Sequence, residues 1–300
     1  MRIGLPLKTG PFYIIIEFCG KTWYYSYRRV MKMSEIRRIK PIIEYVEEDT
    51  RYHLVWFILY AFGIPLVCIL LMQYVPVFQT GFLNFVLYGI EGATPALAAI
   101  LTIMKSRGVT GIKHFLTEKY VTNFSVKYIL IGFLIPAIIL TFAKLVTYIT
   151  PTHNQFLSLP SGKKMVILLW ALIAEELGWR GYLQENLVKK VGEVLTPLLV
   201  GIVWLLWHYH FFLSGTMEVP LLIFGFGCIA ESYGYYVITK LAKGNVIPAS
   251  VWHFSGNLMF NLYLLGPSWN GGSIVPYLVA NLFYGANIVG FGLYRRLRSQ

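Results

Sequence analysis

Two glutamates and an arginine lie in the middle of one long apolar segment of this 300-residue chain: Glu175, Glu176 and Arg180. Ionisable side chains inside a membrane-spanning helix are costly and usually serve function. On a helix, Glu176 and Arg180 are four residues apart and can form an ion pair, whereas Glu175 is rotated by about 100° from Glu176. We therefore interpret Glu176 and Arg180 as a supporting pair and Glu175 as the free reagent.

Two later apolar segments add polar side chains that could reach the same carboxylate. One segment carries Trp204 and His208, and the other carries His253 and Asn257, which share a helix face because they are four residues apart. With a rise of 1.5 Å per residue, Glu175 and these residues fall within about 10 Å of one another in depth. The spacing predicts that three helices assemble one polar pocket inside the bilayer.

The residue types in this pocket indicate hydrolysis by an activated water molecule. A carboxylate in an apolar pocket can act as a general base toward water, and a neighbouring histidine can orient that water or share its proton. A histidine and an asparagine on one helix face can donate hydrogen bonds to a developing oxyanion. We predict Glu175 as the base, His208 as its partner, and His253 with Asn257 as the oxyanion donors of a hydrolase without a covalent nucleophile. Neither a metal nor another cofactor is expected.

Two alternative interpretations remain open. One glutamate and two histidines are also a ligand set for catalytic zinc, which would make the protein a zinc-type membrane metalloprotease. The chain has no His-Glu-x-x-His motif, and Asn257 suits an oxyanion hole better than a metal site. The second alternative is a non-enzymatic membrane protein, such as an immunity or scaffold protein or a transporter. The inverted repeats that are typical of transporters are not visible in the sequence.

The order of these motifs resembles that of the CAAX-protease and bacteriocin-processing enzyme family. This family includes type II CAAX prenyl endopeptidases and abortive-infection membrane proteins, and the resemblance covers roughly residues 93–257. It rests on Glu-Glu-x-x-x-Arg, an aromatic residue four positions before a histidine, and His-x-x-x-Asn, together with a second-helix signature at 93–100. Trp204 stands where the family commonly has phenylalanine, and we do not expect this change to disturb the chemistry.

The resemblance implies a glutamate-dependent intramembrane protease of eight helices. Carried over by motif position, it gives the same roles: Glu175 as the base, His208 as its partner, and His253 and Asn257 as oxyanion donors, with Glu176 and Arg180 supporting. The implied substrates are prenylated CAAX-type peptides, processed at their C-termini, or other membrane-associated peptides.

Three further ionisable residues lie in apolar segments. His210 is about 200° around the helix from His208, and we interpret it as an interfacial residue rather than a catalytic one. Glu91 and Glu231 are lone acids that could pair with Lys144 or a hydroxyl group, or line the entrance for the substrate. A structural role is favoured for both.

The composition predicts that helices in a membrane position all these residues. Apolar residues make up 56% of the chain and charged residues 13%, about half the charged fraction of a soluble domain, and the mean hydropathy is +0.59. We predict an all-α polytopic membrane protein with about eight transmembrane helices, since eight apolar runs approach the roughly 20 residues that cross a bilayer. These runs are residues 53–75, 81–104, 128–149, 164–187, 195–213, 219–241, 246–265 and 274–293.

The basic residues predict the topology and the partners. Of the 26 lysines and arginines, ten precede residue 53 and most others lie in alternate connections, which favours contact with anionic lipid rather than nucleic acid. The second, fourth and sixth connections and the C-terminus are basic, so both termini should be cytoplasmic. We divide the chain into a basic leader at 1–52, amphipathic from Ser34 to Arg51, and a transmembrane protease domain at 53–300. Met31 and Met33 are alternative starts. A second amphipathic helix is predicted at 105–127.

Overall fold

The computed structural model describes the backbone of residues 2–3, 12–18, 21–27, 33–149 and 155–299, and the side chains of residues 53–149 and 155–299. The chain divides into two units, Met1–Arg51 and Tyr52–Gln300. In the first unit, three antiparallel strands in the order β1-β2-β3 form a small sheet. They are β1 (Arg2–Ile3), β2 (Phe12–Phe18) and β3 (Lys21–Tyr27).

This sheet was not predicted from the sequence, although its composition explains it. Strands β2 and β3 are rich in isoleucine and aromatic residues, which favour extended pleated backbone, and only two residues separate them. The predicted amphipathic stretch Ser34–Arg51 is helical, because it is the first part of α1 (Met33–Tyr74). The side chains of this stretch lie outside the described residues.

The second unit is built from helices, which confirms the predicted all-α membrane protein. After α1, the helices are α2 (Gly81–Gly92), α3 (Thr94–Leu116), α4 (Val126–Tyr148), α5 (Gly162–Ala174), α6 (Glu185–Trp207), α7 (Tyr209–Leu213), α8 (Leu221–Leu241), α9 (Ile247–Leu262), α10 (Val275–Tyr284) and α11 (Ala286–Arg298). Short π-helices occupy Thr117–Val121 and Leu177–Gln184, and 3₁₀ turns occupy Pro76–Phe78 and Pro267–Trp269.

Four helical stretches of the described chain are long and apolar enough to cross a membrane, or five if α2 and the bent helix after it form one span. The four are His53–Tyr74, Val126–Tyr148, Gly162–Leu213 and Leu221–Leu241. The predicted number of eight is not confirmed. The stretch Gly162–Leu213 contains 52 residues and holds two predicted spans, whereas α9, α10 and α11 contain only 16, 10 and 13 residues.

The second predicted span is not straight. Helices α2 and α3 meet at Ala93 with a bend of 67°. Pro95 lies in the first turn of α3, where its missing N–H is harmless but its ring excludes a continuous helix from the preceding turn. Gly108 and Gly192 interrupt α3 and α6 with φ angles of 60° and 76°. This left-handed region costs glycine little, and both breaks coincide with predicted connections.

Helix α4 contacts a neighbouring helix closely on one side and exposes apolar side chains on the other. The largest set of contacts joins α4 to α9, where Gly132 lies so close to the backbone of Pro248 that a side chain would overlap it. On the outer side of α4, Leu134, Ile138 and Phe142 recur every four residues and are half exposed. A helix presents such an exposed apolar stripe to lipid. This stripe, on a helix long enough to cross a membrane, is typical of an integral membrane protein.

The basic connections meet at one end of the second unit. In the second connection, Lys119 Nζ lies 2.7 Å from Oε2 of Glu185, just before the fourth, and its carbonyl accepts a hydrogen bond from N of Val246, just after the sixth. Arg298 at the C-terminus pairs with Glu193 of the fourth connection at 3.2 Å. Two regions with few basic residues also meet, since Ser158 N of the third connection donates to Leu262 O near the seventh.

Candidate active site

Glu175 lies at an interruption of the helical stretch Gly162–Leu213. Helix α5 ends at Ala174 and the π-helix begins at Leu177, and the Glu175 carbonyl accepts hydrogen bonds from Gly178 N at 2.9 Å and Trp179 N at 3.0 Å. The prediction of a regular α-helix through this position is wrong. π-Helical turns inside α-helices often occur at functional sites, and Glu175, just before this one, lines a cavity.

The two oxygens of the Glu175 carboxylate have different surroundings. Oε2 accepts a hydrogen bond from Trp204 Nε1 at 2.9 Å and a longer one from Trp179 Nε1 at 3.4 Å. Oε1 faces His253 Nε2 across 3.9 Å. The residue is only 9% exposed. One oxygen is therefore held by indole groups, and the other points to the histidine.

Glu176 and Arg180 form a fully buried ion pair. Arg180 Nη1 lies 3.0 Å from both carboxylate oxygens of Glu176, and Arg180 Nη2 donates to Ser232 Oγ of α8 at 3.3 Å. The guanidinium also lies over the Tyr235 ring at 3.9 Å, a favourable cation–π contact. These partners compensate the charges that burial would otherwise destabilise.

His253 connects the two glutamates. Its Nδ1 lies 2.9 Å from Glu176 Oε1, while its Nε2 faces Glu175. Because a carboxylate at this distance accepts a hydrogen bond, Nδ1 carries the hydrogen when Glu176 is ionised. Glu176 was predicted to pair with Arg180 alone, since spacing within one helix cannot report on a neighbour from α9.

His208 lies at the break between α6 and α7. Its Nδ1 lies 2.7 Å from the Trp204 carbonyl. A carbonyl can only accept, so Nδ1 carries a hydrogen and Nε2 remains for a second partner. Trp204 thus binds His208 through its backbone and Glu175 through its indole. The histidine in contact with Glu175 is His253, whereas His208 lies beside the same cavity.

A cavity of about 900 Å³ brings Glu175, His208, His253 and Asn257 together. Asn257 is partly exposed to it, and no side chain within the described ranges forms a hydrogen bond with its amide, which leaves that amide available to a ligand. Much of the remaining wall is apolar and includes Phe82, Phe85, Ile167 and Phe260. Among residues 53–149 and 155–299, no group of three histidine, cysteine or acidic side chains is arranged to hold a metal ion.

The three remaining ionisable residues differ in their surroundings. His210 is fully buried, with Nδ1 2.5 Å from Glu91 Oε1, so its side chain faces the protein interior, and its interfacial depth stays a prediction. Lys144 pairs with neither acid, because its Nζ donates to the carbonyls of Gln155 and Tyr263 at 2.8 and 3.0 Å. Glu231 lines the cavity.

The hydrogen bonds from two tryptophans to Glu175 were not predicted from the sequence. Trp179 is four residues after Glu175, and Trp204 is four residues before His208. Such spacing places each tryptophan on the face of the residue it accompanies, so the sequence held a signal for both. An indole N–H in an apolar helix needs an acceptor, and Glu175 supplies it.

Comparison with known proteins gives two matches. Residues 161–259, about a third of the chain, match a family described as type II CAAX prenyl endopeptidase Rce1-like. A stretch of 45 residues is 42% identical to CAAX prenyl protease 2 of Methanococcus maripaludis, and it covers 15% of this chain and 17% of that protein. The match to the family contains Glu175, His208, His253 and Asn257, and it confirms the resemblance that was drawn from the motifs.

Proposed function

From the membership of residues 161–259 in the type II CAAX prenyl endopeptidase Rce1-like family, we propose that this protein is an intramembrane endopeptidase. It hydrolyses a peptide bond with a water molecule that Glu175 activates. The observation that carries this proposal is the Glu175 carboxylate, which has one oxygen held by Trp204 and the other directed toward His253 at the wall of a cavity.

The proposed reaction begins with proton transfer from water to Glu175 Oε1. The resulting hydroxide attacks the carbonyl carbon of the peptide bond, and the proton then passes to the leaving amine when the carbon–nitrogen bond breaks. Hydrogen bonds from Trp204 and Trp179 restrict the carboxylate to one orientation, so little reorganisation is needed for the proton transfer. The Nε2 of His208 can accept a hydrogen bond from the same water, because its Nδ1 already donates to Trp204.

The proposed oxyanion donors are the Asn257 amide and His253. Asn257 meets this role directly, since its amide faces the cavity. His253 can donate from Nε2 only when both ring nitrogens carry hydrogens. The carboxylates of Glu175 and Glu176 flank the ring on both sides and would compensate the charge of that form. The Glu176–Arg180 pair then acts by holding His253 in place.

The substrates that fit the cavity best are peptides with an apolar attachment to the membrane. The apolar part of the cavity wall can bury a prenyl chain or an apolar peptide segment. The related archaeal protein is named a CAAX prenyl protease, and we propose prenylated CAAX-type peptides as one substrate class beside other membrane-associated peptides.

The decisive experiment compares purified wild-type protein with Glu175→Gln and Glu175→Ala in lipid nanodiscs. A prenylated CAAX peptide and a panel of membrane-anchored peptides are incubated with each variant, and products are identified by mass spectrometry. We expect Glu175→Gln to lower the cleavage rate by roughly 10²–10⁴-fold, which is the contribution of a general base. Glu193→Gln is the matched control, because Glu193 is half-buried, pairs with Arg298 and does not line the cavity.

Equal turnover by wild type and both Glu175 variants, with thermal unfolding showing that all are folded, would contradict the proposed function. Retained activity after dialysis against a chelator is a further expectation, since the proposed reaction uses no metal. Loss of activity that added zinc restores would instead favour the metalloprotease.

A further inference from the structure

Glu231 is a carboxyl group in the cavity wall that the proposed reaction does not use. It lies on α8, on the same face as Cys228 and Tyr235, which are three residues before and four residues after it and which also line the cavity. Glu231 itself is only partly buried. Its carboxyl group can therefore reach a molecule that occupies the cavity.

The position of Glu231 relative to the candidate catalytic residues follows from Gly256 of α9. A methyl group added at Gly256 would lie 3.2 Å from the Tyr284 hydroxyl and 3.7 Å from Glu231 Oε1. Gly256 is adjacent to Asn257 and three residues after His253, so Glu231 lies within about one helical turn of both. A peptide bond placed between Glu175 and Asn257 has its flanking residues near Glu231.

Glu231 forms no ion pair within the described ranges. No lysine, arginine or histidine there lies within ion-pair distance of its carboxylate, whereas Arg180 and His253 both contact Glu176. Glu175, Glu176 and Glu231 are three carboxyl groups that share Arg180 and His253. In surroundings of low polarity such an excess of acid favours a cationic partner strongly.

We infer that Glu231 and the Tyr284 hydroxyl form a subsite for a cationic side chain of the peptide substrate, next to the bond that is cleaved. This inference rests on the proposed function for the identity of the ligand as a peptide. The arginine or lysine side chain donates hydrogen bonds to the Glu231 carboxylate, and Tyr284 supports the same oxygens. Apolar walls bind the membrane-anchored part of the peptide, while this subsite selects for charge.

The test uses pairs of peptides that differ only in charge. In the membrane-anchored peptide that wild type cleaves best, each residue flanking the cleaved bond is replaced in turn by arginine or by citrulline, its neutral isostere. We expect kcat/KM to be about tenfold higher for arginine than for citrulline at one of these positions, the effect of one hydrogen bond to a charged group. Glu231→Gln should bring that ratio below about threefold.

A matched control separates this subsite from the general charge of the cavity. Glu218 also lines the cavity, but it is exposed, so water screens its charge. Glu218→Gln should leave the arginine-to-citrulline ratio at its wild-type value. A ratio near one at every position in wild type would overturn the inference, and so would a Glu231→Gln variant that slows all peptides equally, because this indicates a role in catalysis rather than selection.

A binding measurement keeps this inference distinguishable from the proposed function. The affinity of fluorescent arginine and citrulline peptides is measured by anisotropy with Glu175→Ala protein, and with Glu175→Ala/Glu231→Gln protein as the comparison. Absence of Glu175-dependent cleavage means that the proposed function fails, and the binding ratio alone then decides on the subsite. Tighter binding of the arginine peptide that disappears with Glu231→Gln supports the subsite, and equal binding of both peptides overturns it.

Discussion

Trp204 is the residue at which the parts of the candidate site meet. Its indole donates to Glu175 at 2.9 Å and its carbonyl accepts from His208 at 2.7 Å. Its ring lies 5.7 Å from the ring of His253. Phenylalanine at this position would keep an aromatic ring but lack the N–H. The effect of the indole N–H on Glu175 can therefore be isolated.

We predict that Trp204→Phe lowers kcat by about tenfold or more and leaves KM within a factor of about two. The reason is the loss of one hydrogen bond to a charged group, which leaves the Glu175 carboxylate less restricted while the aromatic packing is kept. The measurement is steady-state cleavage of the best peptide in nanodiscs. Incorporation of 3-benzothienylalanine at position 204 removes the N–H with almost no change of shape, and it should reproduce the loss.

The control for this prediction is Trp207→Phe. Trp207 lies on the same helix and is equally buried, but its indole donates to Thr94 Oγ1 at 3.0 Å rather than to Glu175. Trp207→Phe should lower the thermal stability about as much as Trp204→Phe does, but it should not lower kcat. Similar kcat losses in both variants would mean that Trp204 contributes through packing only.

At the scale of the elements, the segment that carries Glu175 is held by one close contact with the backbone of α3. Gly178 of the π-helix lies against the backbone carbonyl of Pro95 in α3, so closely that a side chain at this position would overlap it. Small residues let neighbouring helices approach each other closely. The structure identifies Gly178 as the position where the approach is closest, and Pro95 as the residue in contact.

We predict that Gly178→Ala destabilises the protein by roughly 1–3 kcal/mol, as overpacking does, and lowers activity because Gly178 N also binds the Glu175 carbonyl. Thermal unfolding in detergent and peptide cleavage are the measurements. Gly181→Ala is the control in the same π-helix, since its nearest neighbours would be at an ordinary 3.4–3.5 Å. If both substitutions had equal effects, the contact with Pro95 would not be what fixes this segment.

The sequence predicted the members of the site better than their geometry. Glu175, His208, His253 and Asn257 were identifiable because polar residues in apolar segments are conspicuous and their depths agree, and the cavity does bring them together. Helix breaks at Glu175 and His208 were not predictable, because no proline or glycine occupies either position to indicate them.

Contacts between helices could not be predicted from a single sequence either. The bond from His253 to Glu176 and the burial of His210 against Glu91 depend on how distant segments pack. Periodicity within one helix gives the direction of a side chain but not its partner. The bend at Ala93 could have been predicted from Pro95. It was not, because residues 81–104 are apolar enough to be predicted as one straight span.

At the scale of the whole molecule, the distribution of basic residues and the contacts between connections agree. Lys119 of the second connection contacts Glu185, just before the fourth, and Val246, just after the sixth. Ser158 of the third connection contacts Leu262 near the seventh. Charge alone had assigned the connections to two groups, and each of these contacts joins members of one group. Which group faces the cytoplasm is a prediction of the charge rule.

We predict that the basic end, with the C-terminus, faces the cytoplasm. Single cysteines at Ser299 and Leu159 test this in a chain whose three native cysteines are replaced by serine. Leu159 lies in the third connection and is 80% exposed, so Leu159→Cys should react with a membrane-impermeant maleimide in intact cells. Ser299→Cys should react only after the cells are made permeable, because lysine and arginine near helix ends resist translocation. The reverse pattern would contradict the orientation, and equal labelling of both sites in intact cells would contradict the grouping of the connections as well.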